Sequence, residues 1–142
     1  MKKWLLGIGL CLFIVTGIIW LRSHRSTELV SPKFKTKRLI EHGVKFDITP
    51  QITKTTIQMS INIECYNNPK MLQINFVNAS FITIEGTPIV PIHWNQTFEG
   101  DYKRTGILTF PKTTSTPPQS MTLHIYGLET YEFIWDHLSP PS

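Results

Sequence analysis

The stretch "MTLHIYGLETYEFIWDHL", residues 121–138, decides how the rest of the chain reads. Met121, Leu123 and Ile125 alternate with Thr122, His124 and Tyr126. Tyr131, Phe133 and Trp135 then alternate with Glu132, Ile134 and Asp136. A period of two sends successive side chains to opposite faces of a strand. Gly127 and the residues up to Thr130 supply a short hairpin link. The stretch therefore predicts a β-hairpin with one apolar face, and that face needs a partner sheet.

The segments upstream supply one. Over residues 55–65, Ile57, Met59, Ile61 and Ile63 alternate with polar residues, and Cys65 ends the run on the core side as a small apolar residue. Residues 43–48 repeat the pattern with Val44, Phe46 and Ile48, and "TPQITK" (49–54) reads as a turn because of Pro50. "YNNP" (66–69) is a turn signal, and residues 71–77 predict a strand with Leu72, Ile74 and Phe76 on one face. A strand over 80–84 follows, then the turn "EGTP" (85–88). Pro91 makes residues 89–94 an edge or irregular strand. "NQTFEGD" (95–101) reads as a loop, 102–110 as a strand closed by Pro111, and "KTTSTPPQS" (112–120) as a loop. Seven or eight short strands separated by turns, with no sustained helical period, predict an all-β antiparallel β-sandwich. Its expected core includes Ile57, Met59, Ile61, Ile63, Leu123, Ile125, Phe133 and Trp135.

The first residues, "MKKWLLGIGLCLFIVTGIIWLRSHR", are of another kind. Lys2 and Lys3 precede an uncharged run over residues 4–21, with Trp4 and Trp20 at its ends. That length suits a membrane-spanning helix with interfacial aromatics. A cleaved signal peptide is the main alternative, but the run closes in Ile18-Ile19-Trp20-Leu21-Arg22 without a small-x-small cleavage site. Lipidation at Cys11 would want a small residue before it, where Leu10 stands. The expected organisation is an N-terminal transmembrane helix over 1–21, a basic juxtamembrane linker over 22–38, a β-sandwich domain over 39–138 and a tail over 139–142.

Charge follows the same division. Of 14 Lys and Arg, eight lie in residues 1–38, and of ten acidic residues only Glu28 lies there. The sequence pI of about 9.2 is thus a property of the anchor and linker. Residues 39–142 lean acidic, which argues against nucleic acid as a partner. Arg22, Arg25, Lys33, Lys35, Lys37 and Arg38 are candidate contacts to anionic lipid head groups, worth about 1 kcal/mol each. The plainer reading is a solvated linker whose charges set topology. By the positive-inside rule these six residues place the domain in the cytoplasm. The signal-like start argues for export.

Three stretches carry a resemblance. "ITPQITKTTIQMSINIE" (48–64), "GILTFP" (106–111) and "PPQSMTLHIYG" (117–127) resemble the opening and closing strands of a family of immunoglobulin-like domains. These domains form the C-terminal, extracytoplasmic part of single-pass anti-sigma factors of Gram-positive, spore-forming bacteria. The resemblance covers about two thirds of the chain and implies an immunoglobulin-like fold outside the membrane. It does not carry over sigma-factor inhibition, because the family's inhibitory segment precedes the membrane helix and only three residues do so here.

The residues suggest no reaction. No Ser/His/Asp or Cys/His constellation stands in a motif context. His24, His42, His93, His124 and His137 make no metal-ligand spacing. The expectation is a non-enzyme without cofactor. "IHWNQTFEGD" (92–101) gathers polar and aromatic residues, and His93, Trp94, Glu99 and Asp101 are the candidate partner contacts. The competing reading folds Trp94 back onto the core. The expected function is a binding or sensory module of the cell envelope, contacting membrane lipid through its helix and an envelope protein or wall polymer through its domain. The alternative is a structural accessory subunit of a membrane complex, with the domain on the cytoplasmic face.

Overall fold

Period-two alternation becomes nine strands in the computed structural model, which describes residues 34–136. They are β1 (Lys37–Glu41), β2 (Val44–Ile52), β3 (Thr56–Cys65), β4 (Ser80–Ile84), β5 (Thr87–Ile89), β6 (His93–Glu99), β7 (Lys103–Pro111), β8 (Met121–Tyr126) and β9 (Thr130–Trp135). The run at 4–21, the residues Arg22, Arg25 and Lys33, and the tail 139–142 lie outside the described residues. Among the described residues no helix is long and apolar enough to cross a membrane.

The strands form two antiparallel sheets, β1-β2-β3-β7-β6 and β5-β4-β8-β9. Each turns its apolar face to a common core, giving a β-sandwich. Ile57, Met59, Ile61, Ile63, Leu123, Ile125, Phe133 and Trp135 are all buried, as is Cys65. Across the sandwich, Phe46 of β2 meets Tyr131 and Phe133 of β9 at ring-centroid distances of 4.9 and 5.5 Å. These tilted and edge-on geometries are the ones aromatic quadrupoles favour.

Several elements differ from expectation. Residues 71–77 are not a strand. Asn68 caps a 3₁₀ turn over Pro69–Gln73, accepting from the Lys70 N–H at 3.2 Å, and Pro69 opens it. Leu72, Ile74 and Phe76 are buried nonetheless, since the segment lies over the core with no strand beside it. Its alternation reports burial, and a ladder needs a partner as well.

"TPQITK" is not wholly a turn, because β2 runs on through Pro50 to Ile52. β1 pairs only with Val44–Ile48, so beyond Ile48 β2 is an edge strand and the missing Pro N–H leaves no ladder bond unmade. Most of "NQTFEGD" is strand β6, paired with β7 through a register shift between Gln96 and Phe98. β1 straddles the boundary at residue 38, with Lys37 and Arg38 in the stretch read as linker and the rest in the domain. It is joined to β2 by His42 and Gly43 at φ 51° and 77°, the backbone of a primed hairpin turn.

Candidate functional site

The stretch singled out from sequence, residues 92–101, is organised around Arg104. The Arg104 guanidinium lies 5.1 Å from the Trp94 ring and 5.3 Å from the Phe76 ring. Its Nη1 donates to the carbonyls of Leu72 (3.0 Å) and Ile74 (2.7 Å), and its Nε donates to Gln96 Oε1 (2.7 Å). Burial lowers the Arg104 pKa below its ordinary value. Trp94 in turn lies on Gly106, where a Cβ would collide with the indole, and packs on Phe76 at 4.5 Å. Its Nε1 is buried without a protein partner.

Trp94 therefore belongs to the packing between β6, β7 and the 3₁₀ segment. His93, Glu99 and Asp101 are exposed, but Trp94 is not gathered with them into one open surface. Glu99 instead accepts from Gln96 Nε2 at 2.8 Å. The sequence reading missed Arg104, which makes more polar contacts than any of the four residues it named.

The basic residues that are described take up positions on or beside the five-stranded sheet. The Lys35 carbonyl accepts from Trp135 Nε1 at 2.9 Å, and Phe34 beside it is in the core. Lys37 is exposed on β1. Arg38 Nε donates to Asp47 Oδ1 at 2.6 Å. This contact raises the Arg38 pKa and holds Asp47 below the usual carboxylate range. Lys45 bridges Asp47 (3.7 Å) and Glu64 (3.5 Å), and Lys103 reaches Glu64 at 3.8 Å. Opposite charges thus alternate across four strands on the solvent side of the sheet.

The solvent side of the four-stranded sheet is different. Phe81 stands opposite His124 in the ladder, and His124 opposite Glu132. The Phe81 and His124 rings stack at 4.4 Å with planes 16° apart, and Tyr126 stacks on Phe81 at 5.8 Å. His124 Nδ1 lies 3.3 Å from Glu132 Oε1, and its Nε2 lies 3.4 Å from Thr83 Oγ1. Tyr126 is 47% exposed and Ile134, one ladder step beyond Glu132, is 46% exposed.

Tyr66 and Tyr102 form another exposed stacked pair, at 5.4 Å. They are loop residues, joined by a bond from the Cys65 N–H to the Tyr102 carbonyl. The rings on β4 and β8 instead stand on paired strands, which hold side-chain positions more firmly.

The alternation of β8 already puts His124 and Tyr126 on its non-core face. Phe81 joins them only through the β4–β8 register, which no spacing within one strand reveals. Among the described residues no group of three His, Cys, Asp or Glu side chains is placed to hold a metal ion. No family model, no curated protein and no solved structure matches the chain.

Proposed function

We propose that the protein is a membrane-anchored, non-catalytic binding module whose immunoglobulin-like β-sandwich stands outside the cytoplasmic membrane. The observation that carries the binding role is the strip of Phe81, His124 and Tyr126 on the outer face of the four-stranded sheet. Antiparallel sheets ordinarily keep a polar solvent side, and rings held there by paired strands form a rigid contact surface.

Strand order supports the immunoglobulin-like reading. β2-β3-β7-β6 corresponds to the A-B-E-D sheet of that fold, and β5-β4-β8-β9 to its G-F-C sheet extended by one strand. β1 is an addition before the first strand. The antibody hallmarks are missing, since β4 carries no Trp and Cys65 is unpaired. The resemblance of residues 48–64, 106–111 and 117–127 to exported domains supports an extracytoplasmic location. The apolar run 4–21 supports the anchor.

Added protease should degrade the domain in intact, wall-stripped cells, and fractionation should recover the full-length chain with membranes. Protection until lysis would overturn the exported orientation. A shortened, soluble product would overturn the anchor.

A second reading, an accessory subunit with its domain on the cytoplasmic face, is favoured by the six basic residues that follow the run. If replacing residues 4–21 by an unrelated span abolishes co-purification of partners, the helix is the binding element and this second reading stands.

A further inference from the structure

The two sheets differ in charge. Residues 80–90 and 121–136, which build the four-stranded sheet and its turns, carry Glu85, Glu129, Glu132 and Asp136 and neither Lys nor Arg. The other described residues carry nine Lys and Arg against five acidic residues. On the five-stranded sheet the outward carboxylates Asp47 and Glu64 are met by Arg38, Lys45 and Lys103. On the four-stranded sheet the carboxylates lie against imidazoles, Glu132 beside His124 and Glu129 beside His42 at 2.8 Å. The Glu132 side chain is 56% exposed. It shares its face with Tyr126 and Ile134, so carboxylate, ring and aliphatic side chain lie within two ladder steps.

This combination discriminates between ligands. An anionic lipid surface or an anionic wall polymer meets like charge. A neutral sugar can lie only on Tyr126, since Phe81 and His124 stack on each other, and it brings no charge to the exposed Glu132 carboxylate. A guanidinium finds both of its preferred partners, a carboxylate for paired N–H donation and an aromatic ring to lie on. We infer that the outer face of the four-stranded sheet docks a polypeptide segment that presents Arg or Lys between aliphatic residues. This rests on the binding-module reading above and names its partner chemistry.

The test uses the isotope-labelled full chain in nanodiscs of zwitterionic lipid, observed by amide NMR. Two synthetic peptides serve as probes, one alternating Arg and Leu, the other with Glu in place of Arg. The Arg peptide should shift the amides of 122–126 and 130–134 first, and the Glu peptide should not. Glu132→Lys should weaken the Arg peptide about tenfold or more, as loss of a docked charge pair does. Tyr126→Ala should weaken it severalfold, and Gln51→Lys on the other sheet should leave it unchanged.

Equal binding of both peptides, or shifts centred on Asp47 and Glu64, overturns the proposal. So does anionic lipid reproducing the same shifts, which would make the face a membrane contact. A photo-crosslinking residue at position 126 in cells separates the two levels. Crosslinks to protein that survive Glu132→Lys leave the binding module standing and remove the cationic partner. No crosslink from position 126 or from position 93 removes both.

Discussion

Trp135 shows how one side chain closes the fold. Its ring stacks on Phe133 at 6.5 Å, and its Nε1 donates to the Lys35 carbonyl. Trp135→Ala should cost about 3–5 kcal/mol, measured by urea unfolding, and Trp135→Phe clearly less because the buried volume is largely kept. Arg104 of β7 holds the 3₁₀ turn and the segment after it through the Leu72 and Ile74 carbonyls and the Phe76 ring, and reaches β6 through Trp94. Each hydrogen bond from a charged donor contributes roughly 1.5–3 kcal/mol, so Arg104→Met should destabilise by about 2–4 kcal/mol. Arg104→Lys should recover less than half, because an ammonium lacks the planar fork. If Arg104→Lys equals wild type, the fork is not what holds the segment. Gly106→Ala would drive a methyl into the Trp94 indole and the Asn95 carbonyl, so the Trp94 fluorescence should move to the red as the ring is displaced.

Turns and edges govern the elements. The β4–β5 turn puts Glu85 at φ 49° and Gly86 at φ 82°. A non-glycine residue there pays for a left-handed backbone that Asn adopts more readily. Glu85→Asn should therefore raise stability by about 0.5–1 kcal/mol, visible as a higher melting temperature. An unchanged or lower value would mean that the turn is not strained by Glu85. The sheet edges are guarded in different ways. β5 is three residues long with Pro88 at its centre, β6 carries a register shift, and β1 carries Lys37, Arg38 and Glu41. Short length, proline, bulges and charge each discourage pairing with another chain.

At the scale of the whole molecule, the described residues balance at nine basic and nine acidic side chains, distributed unevenly between the sheets. pH acts on this balance through Asp47 and Tyr131. Arg38 holds the Asp47 carboxyl below its ordinary range, so the folded state binds that proton less readily than the unfolded chain. The resulting stabilisation is present above the ordinary carboxylate range and is lost as pH falls through the depressed value. Arg38 is 63% exposed, so solvent screens the pair and its contribution is small. The stability gap between wild type and Asp47→Asn should close on acidification. If it widens, the pair is not the source. Burial raises the Tyr131 pKa, so its contribution is present below about pH 10 and is lost above that. Tyr131→Phe should flatten the alkaline limb of a stability–pH curve.

The hairpin at 121–135, the strand ending at Cys65 and the apolar faces of both were legible in the sequence. Alternation is a local property, and burying one face of a strand needs no knowledge of which strand lies opposite. The same signal misled at residues 71–77, where burial alternates without a ladder, and missed β6, whose side chains are mostly exposed and carry no alternation. Position 94 illustrates the limit. Its Trp reads either as a contact residue or, more readily, as packing, and only Gly106 opening space beneath it and Arg104 lying against it decide for packing. Phe81, His124 and Glu132 are separated by up to 51 positions and share a face only because the β4–β8 and β8–β9 registers align them. Period two in the sequence determined which way each alternating strand faces. Tertiary structure alone decided which strands are neighbours, because pairing depends on long-range closure of the chain, and the composition of the exposed face follows from that closure.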